Sequence, residues 1–297
     1  MQRASVIVPA LNEAGNLSSW LPRIQAQLTD RDELIVVDNG STDQTASVAR
    51  ETGARVIVEP RRGRAFARNA GIRAANSEFV VFVDADCCPE QDWLARLLEP
   101  FENARVGCVA GEISIIGSST SLGDYLEEKN YLSQQVNFQH PFLPFAATGN
   151  VAFRMQALEH VGGFDETLID GEDADLCWRM QLRSEFLVVL ASGSVVRHRP
   201  PPSAAALFRQ KFRHARAAVV LYKKYRWPLS GGASIKKLYW EYRSIVRRGS
   251  RYAFACLAAR LRLANAPSRA QGYQLSLELG EKLGHLSGSL RQRIWYP

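Results

Sequence analysis

Two groups of carboxylates are the residues best able to do chemistry in this chain, Asp84-Ala85-Asp86 and Glu172-Asp173. The first follows the apolar run Phe79-Val80-Val81-Phe82-Val83, which reads as a buried strand giving way to a loop. Carboxylates one residue apart in such a place can offer hard oxygen ligands to Mg²⁺ or Mn²⁺ while the ion also holds substrate phosphates. Such an ion neutralises a departing diphosphate. A lone D-x-D is a weak motif, and the strand in front of this one gives it weight. Around the second group, Leu176 and Met180 mark a buried face and Asp175 pairs with Arg179 at i, i+4, so the spacing predicts a helix beginning near Glu172. Acids in a first helical turn ordinarily serve the helix dipole, and that reading suffices for Asp175. Glu172 or Asp173, where the chain enters the helix, can project into a cleft as a general base.

Polar clusters also end other apolar runs. Pro9-Ala10-Leu11-Asn12-Glu13 follows Ser5–Val8, and Asp38-Asn39-Gly40-Ser41-Thr42-Asp43 follows Glu33–Val37. Gly40-Ser41-Thr42 turns the chain, with Thr42 or Asp43 as N-cap of a helix through Glu51. Each cluster alone reads equally well as a capped loop; three of them at strand ends point to a site. Arg61 and Arg62 read as a solvated basic turn, whereas Arg64 and Arg68, one helical turn apart, share a face from which both can reach a nucleotide.

These residues need elements to position them. Short β-branched runs at Ser5–Val8, Glu33–Val37, Arg55–Val58 and Phe79–Val83 alternate with stretches of helical spacing, which predicts a parallel sheet of βαβ units. The runs are apolar without alternation, as strands covered on both faces should be, and such sheets bind ligands at the carboxyl ends of their strands. A length of 297 residues accommodates one α/β catalytic domain, expected over 1–202, and a mainly helical extension over 203–297. With 46% hydrophobic and 23% charged residues, wholesale disorder is excluded.

Charge divides the chain at the same place. Residues 1–202 hold 18 basic and 27 acidic residues, and residues 203–297 hold 19 basic and 3 acidic, so an anionic partner is sought in the last third. The cysteines Cys87, Cys88, Cys108, Cys177 and Cys256 are odd in number and lack C-x-x-C spacing, which fits a reducing compartment and neither a disulfide framework nor a zinc site. Met1 to Val8 has no signal-peptide pattern, and Tyr252 to Ala264, interrupted by Arg260 and Arg262, falls short of the roughly 20 apolar residues of a spanning helix. A cytoplasmic protein is expected, peripheral at most on the inner face of a membrane.

Taken in order, VIVPALNE, ELIVVDNGSTDQT, RAFARNAGI, VVFVDAD, ATGNVAFR, GGFDE and GEDADLCWR resemble family 2 glycosyltransferases of the GT-A fold, over residues 4 to about 200. The resemblance implies a Rossmann-like α/β domain in which Pro9, Ala10, Glu13, Asp38 and Arg64 hold the base and ribose of a nucleotide-sugar, UDP by default, with Asp84 and Ala85 beside them. It implies that Asp86 binds the divalent metal, Mn²⁺ or Mg²⁺, bridging the diphosphate. Asp173 would take the proton from an acceptor hydroxyl attacking the anomeric carbon from the opposite side, so that an α-linked donor gives a β-glycoside. Asn150, in the Thr148-Gly149-Asn150 turn, and Glu172 are expected near the donor sugar or acceptor. His198, after a further apolar run, resembles the histidine that completes the metal site in some GT-A enzymes; a structural role is its alternative.

One departure is informative. Processive, membrane-embedded members carry Q-x-x-R-W, whereas the matching stretch here is Gln210-Lys211-Phe212-Arg213-His214, which argues for transfer of a single sugar, with Gln210 and Arg213 near the acceptor. Beyond it, Phe208, Phe212, Ala215, Val219 and Tyr222 recur at helical spacing beside Arg209, Arg213, Arg216 and Lys223, a basic amphipathic helix expected to lie on an anionic membrane or to pack internally. Further cations at Lys236-Lys237, Arg243, Arg247-Arg248-Arg251 and Arg260-Arg262 interleave with Tyr239, Trp240, Tyr242, Tyr252 and Phe254. No nucleic-acid recognition module is found, so nucleic acid is not an expected partner. Two other classes compete with the transferase. A sugar nucleotidyltransferase would carry a glycine-rich basic signature where Asn12-Glu13 stand. A catalytically silent nucleotide- or surface-binding module would not need Asp86 and Asp173 together.

Overall fold

β1 (Gln2–Ala10) lies between β2 (Asp32–Asp38) and β4 (Ser77–Val83), parallel to both, and β3 (Arg55–Val58) extends the sheet beyond β2 in the same direction. α1 (Ala14–Gln25), α2 (Thr45–Glu51) and α3 (Arg64–Ala74) are the crossovers, so this half is the βαβ arrangement the sequence predicts. The computed structural model describes residues 2–116, 120–228, 235–261 and 265–296, with the backbone alone for 2 and 235–239. Arg262 is therefore outside the described residues, as are the side chains of Lys236, Lys237 and Tyr239.

The second half of the sheet departs from the all-parallel expectation. After β5 (Cys87–Pro89) and α4 (Trp93–Leu98) come β6 (Val106–Ile115), α5 (Ser121–Glu128), α6 (Gln135–Phe138), β7 (Asn150–Arg154), α7 (Met155–Val161), α8 (Glu172–Arg183) and β8 (Leu187–His198). β7 runs antiparallel to both β4 and β6, and β5 runs antiparallel to β8, giving one mixed sheet in the order β3-β2-β1-β4-β7-β6-β8-β5. Alternate residues enter two cores. Val6, Val8, Val36, Val81 and Val83 pack with α1 and α4 through Leu17, Leu21 and Trp93. Ile7, Ile35, Val37, Val80 and Phe82 pack on the other face with Ala67 of α3, Leu158 of α7 and Met180 of α8. Burial of both faces explains why these strands show no polar alternation.

Three long helices complete the chain, α9 (Ala204–Tyr225), α10 (Ile235–Arg260) and α11 (Arg269–Gln292). The chain divides into two compact units, Met1–Ile116 with Asn130–Arg199, and Gly117–Lys129 with Pro200–Pro297. A single boundary at residue 202 does not describe this division, because α5 groups with the long helices. Among the described residues, no helix is long and apolar enough to cross a membrane. Ser203 caps α9, its hydroxyl accepting from the Ala206 N–H at 3.2 Å. The face of α9 expected to choose between a membrane and internal packing is occupied. A Cβ on Gly280 would lie 2.8 Å from the Phe208 carbonyl, one on Gly284 2.7 Å from Ala215 Cβ, and one on Gly288 2.8 Å from a Val219 methyl. Glycine at these three positions of α11 lets the two helices approach closely, and the Phe208-to-Val219 face is spent on that contact.

Candidate active site

The loops after β1, β2 and β3 are laced together by side chain to backbone hydrogen bonds. Asn12, in the left-handed region with φ 58°, accepts from the Thr42 N–H at 2.8 Å, while its own N–H donates to Ser41 Oγ at 2.9 Å. The Glu13 N–H donates to Thr45 Oγ1 at 2.8 Å and the Ala14 N–H to Asp43 Oδ2 at 3.2 Å. Neither Thr42 nor Asp43 is the N-cap of α2. That position falls to Gln44, and Asp43 instead accepts from the Thr45 N–H at 3.0 Å from one residue further out. Asp38 is buried and accepts from the Ser41 N–H at 3.0 Å. Asn39 donates to the Glu59 and Arg61 carbonyls at 2.9 and 2.7 Å and accepts from the Gly63 N–H at 2.8 Å. Pro9 and Ala10 end β1 beside Val37 and Asp38, so the residues expected at the base and ribose share one rim. Arg61 is more than a solvated turn. It pairs with Glu59 at 2.8 Å and Glu166 at 3.1 Å, and its hydrogen bond holds the Glu59 carboxyl down at about 2.

Arg68 and Asn69 of α3 reach across to the segment that carries the second acidic group. Asn69 accepts from the Phe164 N–H at 2.9 Å and donates to the Phe164 carbonyl at 2.9 Å, fixing the Gly162-Gly163-Phe164 turn. Arg68 is buried; it donates to Glu172 Oε1 at 2.6 Å, and its other terminal nitrogen is 3.5 Å from Asp84 Oδ1. One guanidinium thus joins the end of β4 to the start of α8. Arg64 shares Glu172, 3.2 Å from its Oε1, and also pairs with Asp170 Oδ1 at 2.5 Å. Gly171, with φ +84°, makes the turn into α8 that a residue with a Cβ adopts only under strain. Asp175 is buried and bonded to Arg179 at 2.7 Å, and Arg179 also donates to the Val161 and Gly163 carbonyls, each at 2.7 Å, so this pair anchors the helix as expected.

Glu172 and Asp173 part ways at this point. Glu172 is buried and committed to two arginines, which removes it from the candidates for a base and from the acceptor's surroundings. Asp173 remains partly exposed and, among the described residues, accepts only the adjacent Ala174 N–H, at 2.9 Å. Burial, helped by the neighbouring Glu172 charge and opposed by Arg68 and Arg64, raises its carboxyl to about 6. A carboxylate with a proton affinity near neutrality is suited to accepting a proton. Asn150 is corrected as well. It is fully buried, accepts from Trp93 Nε1 at 2.8 Å and donates to the Glu112 and Ser194 carbonyls at 2.9 and 3.0 Å, so it braces the sheet and exposes no atom to a sugar.

The antiparallel pairing of β5 with β8 sets Cys87 opposite His198 and so brings the histidine to the D-x-D loop. His198 Nε2 is 3.3 Å from Asp86 Oδ1. His198 Nδ1 is 2.5 Å from the Arg199 carbonyl, which can only accept, so Nδ1 carries a hydrogen and Nε2 is the ring nitrogen that faces Asp86. Burial, with Asp84 and Glu13 adding to it and His198 opposing it, pushes the Asp86 carboxyl up to about 6. An imidazole nitrogen and a carboxylate facing each other beside further carboxylates form a donor set that a divalent cation could occupy once Nε2 is free of its proton, and the Arg199 carbonyl gives the ring the backbone support of a metal ligand. Cys87 Sγ also lies within 4.8 Å, but burial holds that thiol protonated and it belongs to the core, a poor match for a hard ion. Gly149 passes so close to Asp84 that a Cβ there would lie 3.3 Å from Oδ2. Gln210 and Arg213 lie on α9 in the helical unit, Gln210 half-buried and Arg213 exposed.

Three contributors carried no legible signal. Asp170 is buried beneath Arg64, and only its place before Gly171 hinted at a role. Glu112 accepts from the Gln134 N–H at 2.9 Å, and Gln134 donates to the Ala147 and Asn150 carbonyls at 3.0 and 3.1 Å. These two residues hold the segment before β7 without belonging to any motif.

The mixed sheet, its laced strand-end loops and the acidic group define a GT-A, Rossmann-like nucleotide-sugar transferase fold. Residues 5–162 match the model of glycosyl transferase family 2, and the chain belongs to that family. Among curated relatives, a pre-mycofactocin glycosyltransferase of Mycobacterium tuberculosis is 32% identical over 204 residues, which is 63% of this chain but 42% of that protein's length. The glycosyltransferase AglE of Haloferax volcanii is 28% identical over 70% of each chain. Of solved structures, the mannosyltransferase PcManGT of Pyrobaculum calidifontis, in complex with GDP-Man and Mn²⁺, aligns with a TM-score of 0.65 at 22% identity, covering 98% of this chain and 88% of its own. Glucosyl-3-phosphoglycerate synthase of Mycobacterium tuberculosis, in complex with Mn²⁺ and UDP-glucose, aligns with a TM-score of 0.53 at 22% identity, over 77% and 82%. Both likenesses concern the fold.

Proposed function

We propose that this chain transfers one sugar from a nucleotide-sugar, UDP-linked by default, to an acceptor hydroxyl with inversion at the anomeric carbon. The observation that carries the reading is the Arg68 bridge. A buried arginine ties Asp84, in the D-x-D loop, to Glu172, whose neighbour Asp173 is a carboxylate raised to about 6. Leaving-group end and base are thereby held in one frame, as an in-line displacement requires. Asp38 and Glu13, on the laced rim with Pro9 and Ala10, receive the base and ribose, with Asp84 and Ala85 adjoining. Asp86 and His198 hold Mn²⁺ or Mg²⁺. When bound, the ion supplies charge neutralisation for the nucleoside diphosphate as it leaves. Arg64, paired with Asp170 and Glu172, adds positive charge among the acids rather than a contact to the base. Asp173 accepts the acceptor's proton. Lipid-linked or polysaccharide-precursor hydroxyls, met at an anionic membrane surface, are the acceptors this reading favours. The family and its glycosyltransferase relatives support transferase chemistry over the nucleotidyltransferase alternative.

The test is incubation with a panel of nucleotide-sugars and Mn²⁺, scored for released nucleoside diphosphate and for the anomeric configuration of the product. One donor turned over only with divalent metal, giving the opposite anomer, is the expected result. Undiminished turnover in EDTA, or retention of configuration, would overturn the mechanism, and failure of every donor despite Mn²⁺-dependent nucleotide binding would favour the silent module.

A further inference from the structure

The helical unit presents a surface whose charge and exposure are unlike the rest of the chain. Between residues 203 and 297 the acids are all engaged with bases: Glu241 with Lys282 at 2.6 Å, Glu281 with Lys211 at 3.0 Å, and Glu278 with Arg248. Residues 203–297 hold 19 basic residues against those three, so most of the positive charge of this segment has no acid within it to answer it. α10 meets α11 through Glu241, Tyr242, Arg248 and the buried Ile245; Tyr242 donates to the Lys282 carbonyl at 2.8 Å. At 100° per residue, Arg243, Arg247, Phe254, Leu257 and Leu261 fall on the opposite side of the helix. Phe254 is 73% exposed, Leu257 55% and Leu261 60%, values far from those of core side chains. Arg251 flanks this stripe, and none of Arg243, Arg247 and Arg251 has an acidic partner among the described residues. Large apolar side chains left bare beside a row of arginines call for a partner both anionic and apolar.

We propose that this outer face of α10 is a docking surface for an anionic lipid bilayer, with Phe254, Leu257 and Leu261 entering the headgroup–acyl boundary and Arg243, Arg247 and Arg251 engaging lipid phosphates. The assignment rests on the membrane element of the function proposed above, and moves it from the Phe208-to-Tyr222 face of α9, which α11 covers, to α10. Charge complementarity selects the occupant. A second copy would bring arginine rows face to face, which is repulsive, and a nucleic acid would answer the arginines but leave three apolar side chains without an apolar environment.

Flotation of the full chain with vesicles of phosphatidylglycerol and phosphatidylcholine in equal amounts, against phosphatidylcholine alone, tests this. Binding should require the anionic lipid and fall with salt. Each of Arg243→Gln, Arg247→Gln and Arg251→Gln should weaken it about fivefold, and Phe254→Ser or Leu257→Ser about tenfold. All five positions are exposed, so the variants should fold, and Mn²⁺-dependent UDP binding by the same preparations reports that directly. Loss of flotation in the serine variants with UDP binding intact supports the proposal. Flotation indifferent to Phe254→Ser and Leu257→Ser would reduce the contact to diffuse adsorption and overturn it, as would no flotation of the parent chain. So would tight RNA binding that competes with vesicles and resists the serine changes. Should UDP binding fail while flotation behaves as described, the enzymatic reading falls and the docking surface stands.

Discussion

The two units of this chain handle charge in opposite ways. In the sheet unit, ionic groups are buried in fixed pairs: Arg68 with Glu172, Arg179 with Asp175, and Glu59 beneath Arg61. Desolvating such pairs costs about as much as their attraction returns, so their yield is geometry more than stability. Each pins a helix or loop that carries a site residue. In the helical unit the acids are few, their ion pairs are partly solvated, and the cations face outwards in numbers, where they act together as a field rather than one by one. Chemistry is thus expected where charge is buried and paired, and surface recognition where it is exposed and unanswered.

The largest effect should come from the sheet unit's partly exposed carboxylate. Asp173→Asn keeps the shape of the side chain and removes the proton acceptor, so transfer should fall roughly 10²–10⁴-fold while donor binding persists. Near-normal turnover would detach Asp173 from the chemistry. The pH profile makes the same point independently. A base must be deprotonated, so with the carboxyl at about 6 the rate at saturating Mn²⁺ should be level above that pH and fall below it. Neutralising Arg64 as Arg64→Gln removes a charge that favours the carboxylate, and should move that acidic limb to higher pH.

Next in size is the buried bridge. Glu172→Gln leaves Arg68 in the interior without its 2.6 Å partner, and breaking one side of a buried pair costs on the order of 3–5 kcal/mol. Thermal unfolding should register the loss, and transfer should drop more than donor binding because α8 is released from the D-x-D loop. Replacing both members by apolar residues should restore much of the stability and none of the activity. If both return, the bridge was scaffolding only.

How far these contrasts could be read from sequence depends on whether the signal was local. β1 to β4 were legible because each carries a short β-branched or apolar run, and in β1, β2 and β4 both faces of that run are buried. α8 was legible from Leu176, Met180 and the Asp175–Arg179 spacing. β7 was not, since nothing in Asn150–Arg154 specifies an antiparallel direction; its place follows from pairing with β4 and β6. Glu172 and Asp173 were indistinguishable in sequence because what separates them is which one meets Arg68, 104 positions away. Asn150 was misplaced for the same reason, its three partners lying 38 to 57 residues distant. The amphipathic pattern of α9 was real, but periodicity cannot say what covers a face. The glycines of α11 that cover it are visible only once the helices are paired.

Those glycines give the third prediction, a stability effect in the helical unit that owes nothing to charge. A Cβ at Gly284 would lie 2.5 Å from the Phe212 carbonyl and 2.7 Å from Ala215 Cβ, contacts that backbone cannot relieve by a side-chain shift. Gly284→Ala should therefore cost about 1–3 kcal/mol despite the gain in helix propensity, read as a lower melting temperature. Stabilisation would mean that α9 and α11 are not packed at this distance.

The smallest expected effect is the counterpart of Glu172→Gln in the other unit. Glu278→Gln also removes a carboxylate from an arginine, but Arg248 and Glu278 are both partly open to solvent and the helix they join is held by Ile245 and Tyr242 as well. Water replaces what is lost at an exposed guanidinium, so the cost should lie at about 0–1 kcal/mol. The substitution also deletes one of the three acids in the strongly basic segment 203–297, which adds repulsion, and the small destabilisation should shrink further as salt is raised. Melting curves of Glu172→Gln and Glu278→Gln, each at low and high salt, put the two treatments of charge side by side: a large, salt-insensitive loss for the first and a small, salt-sensitive one for the second. Equal losses would mean that the carboxylates of the helical unit are structural after all, and the contrast between paired interior charge and unanswered surface charge would fail.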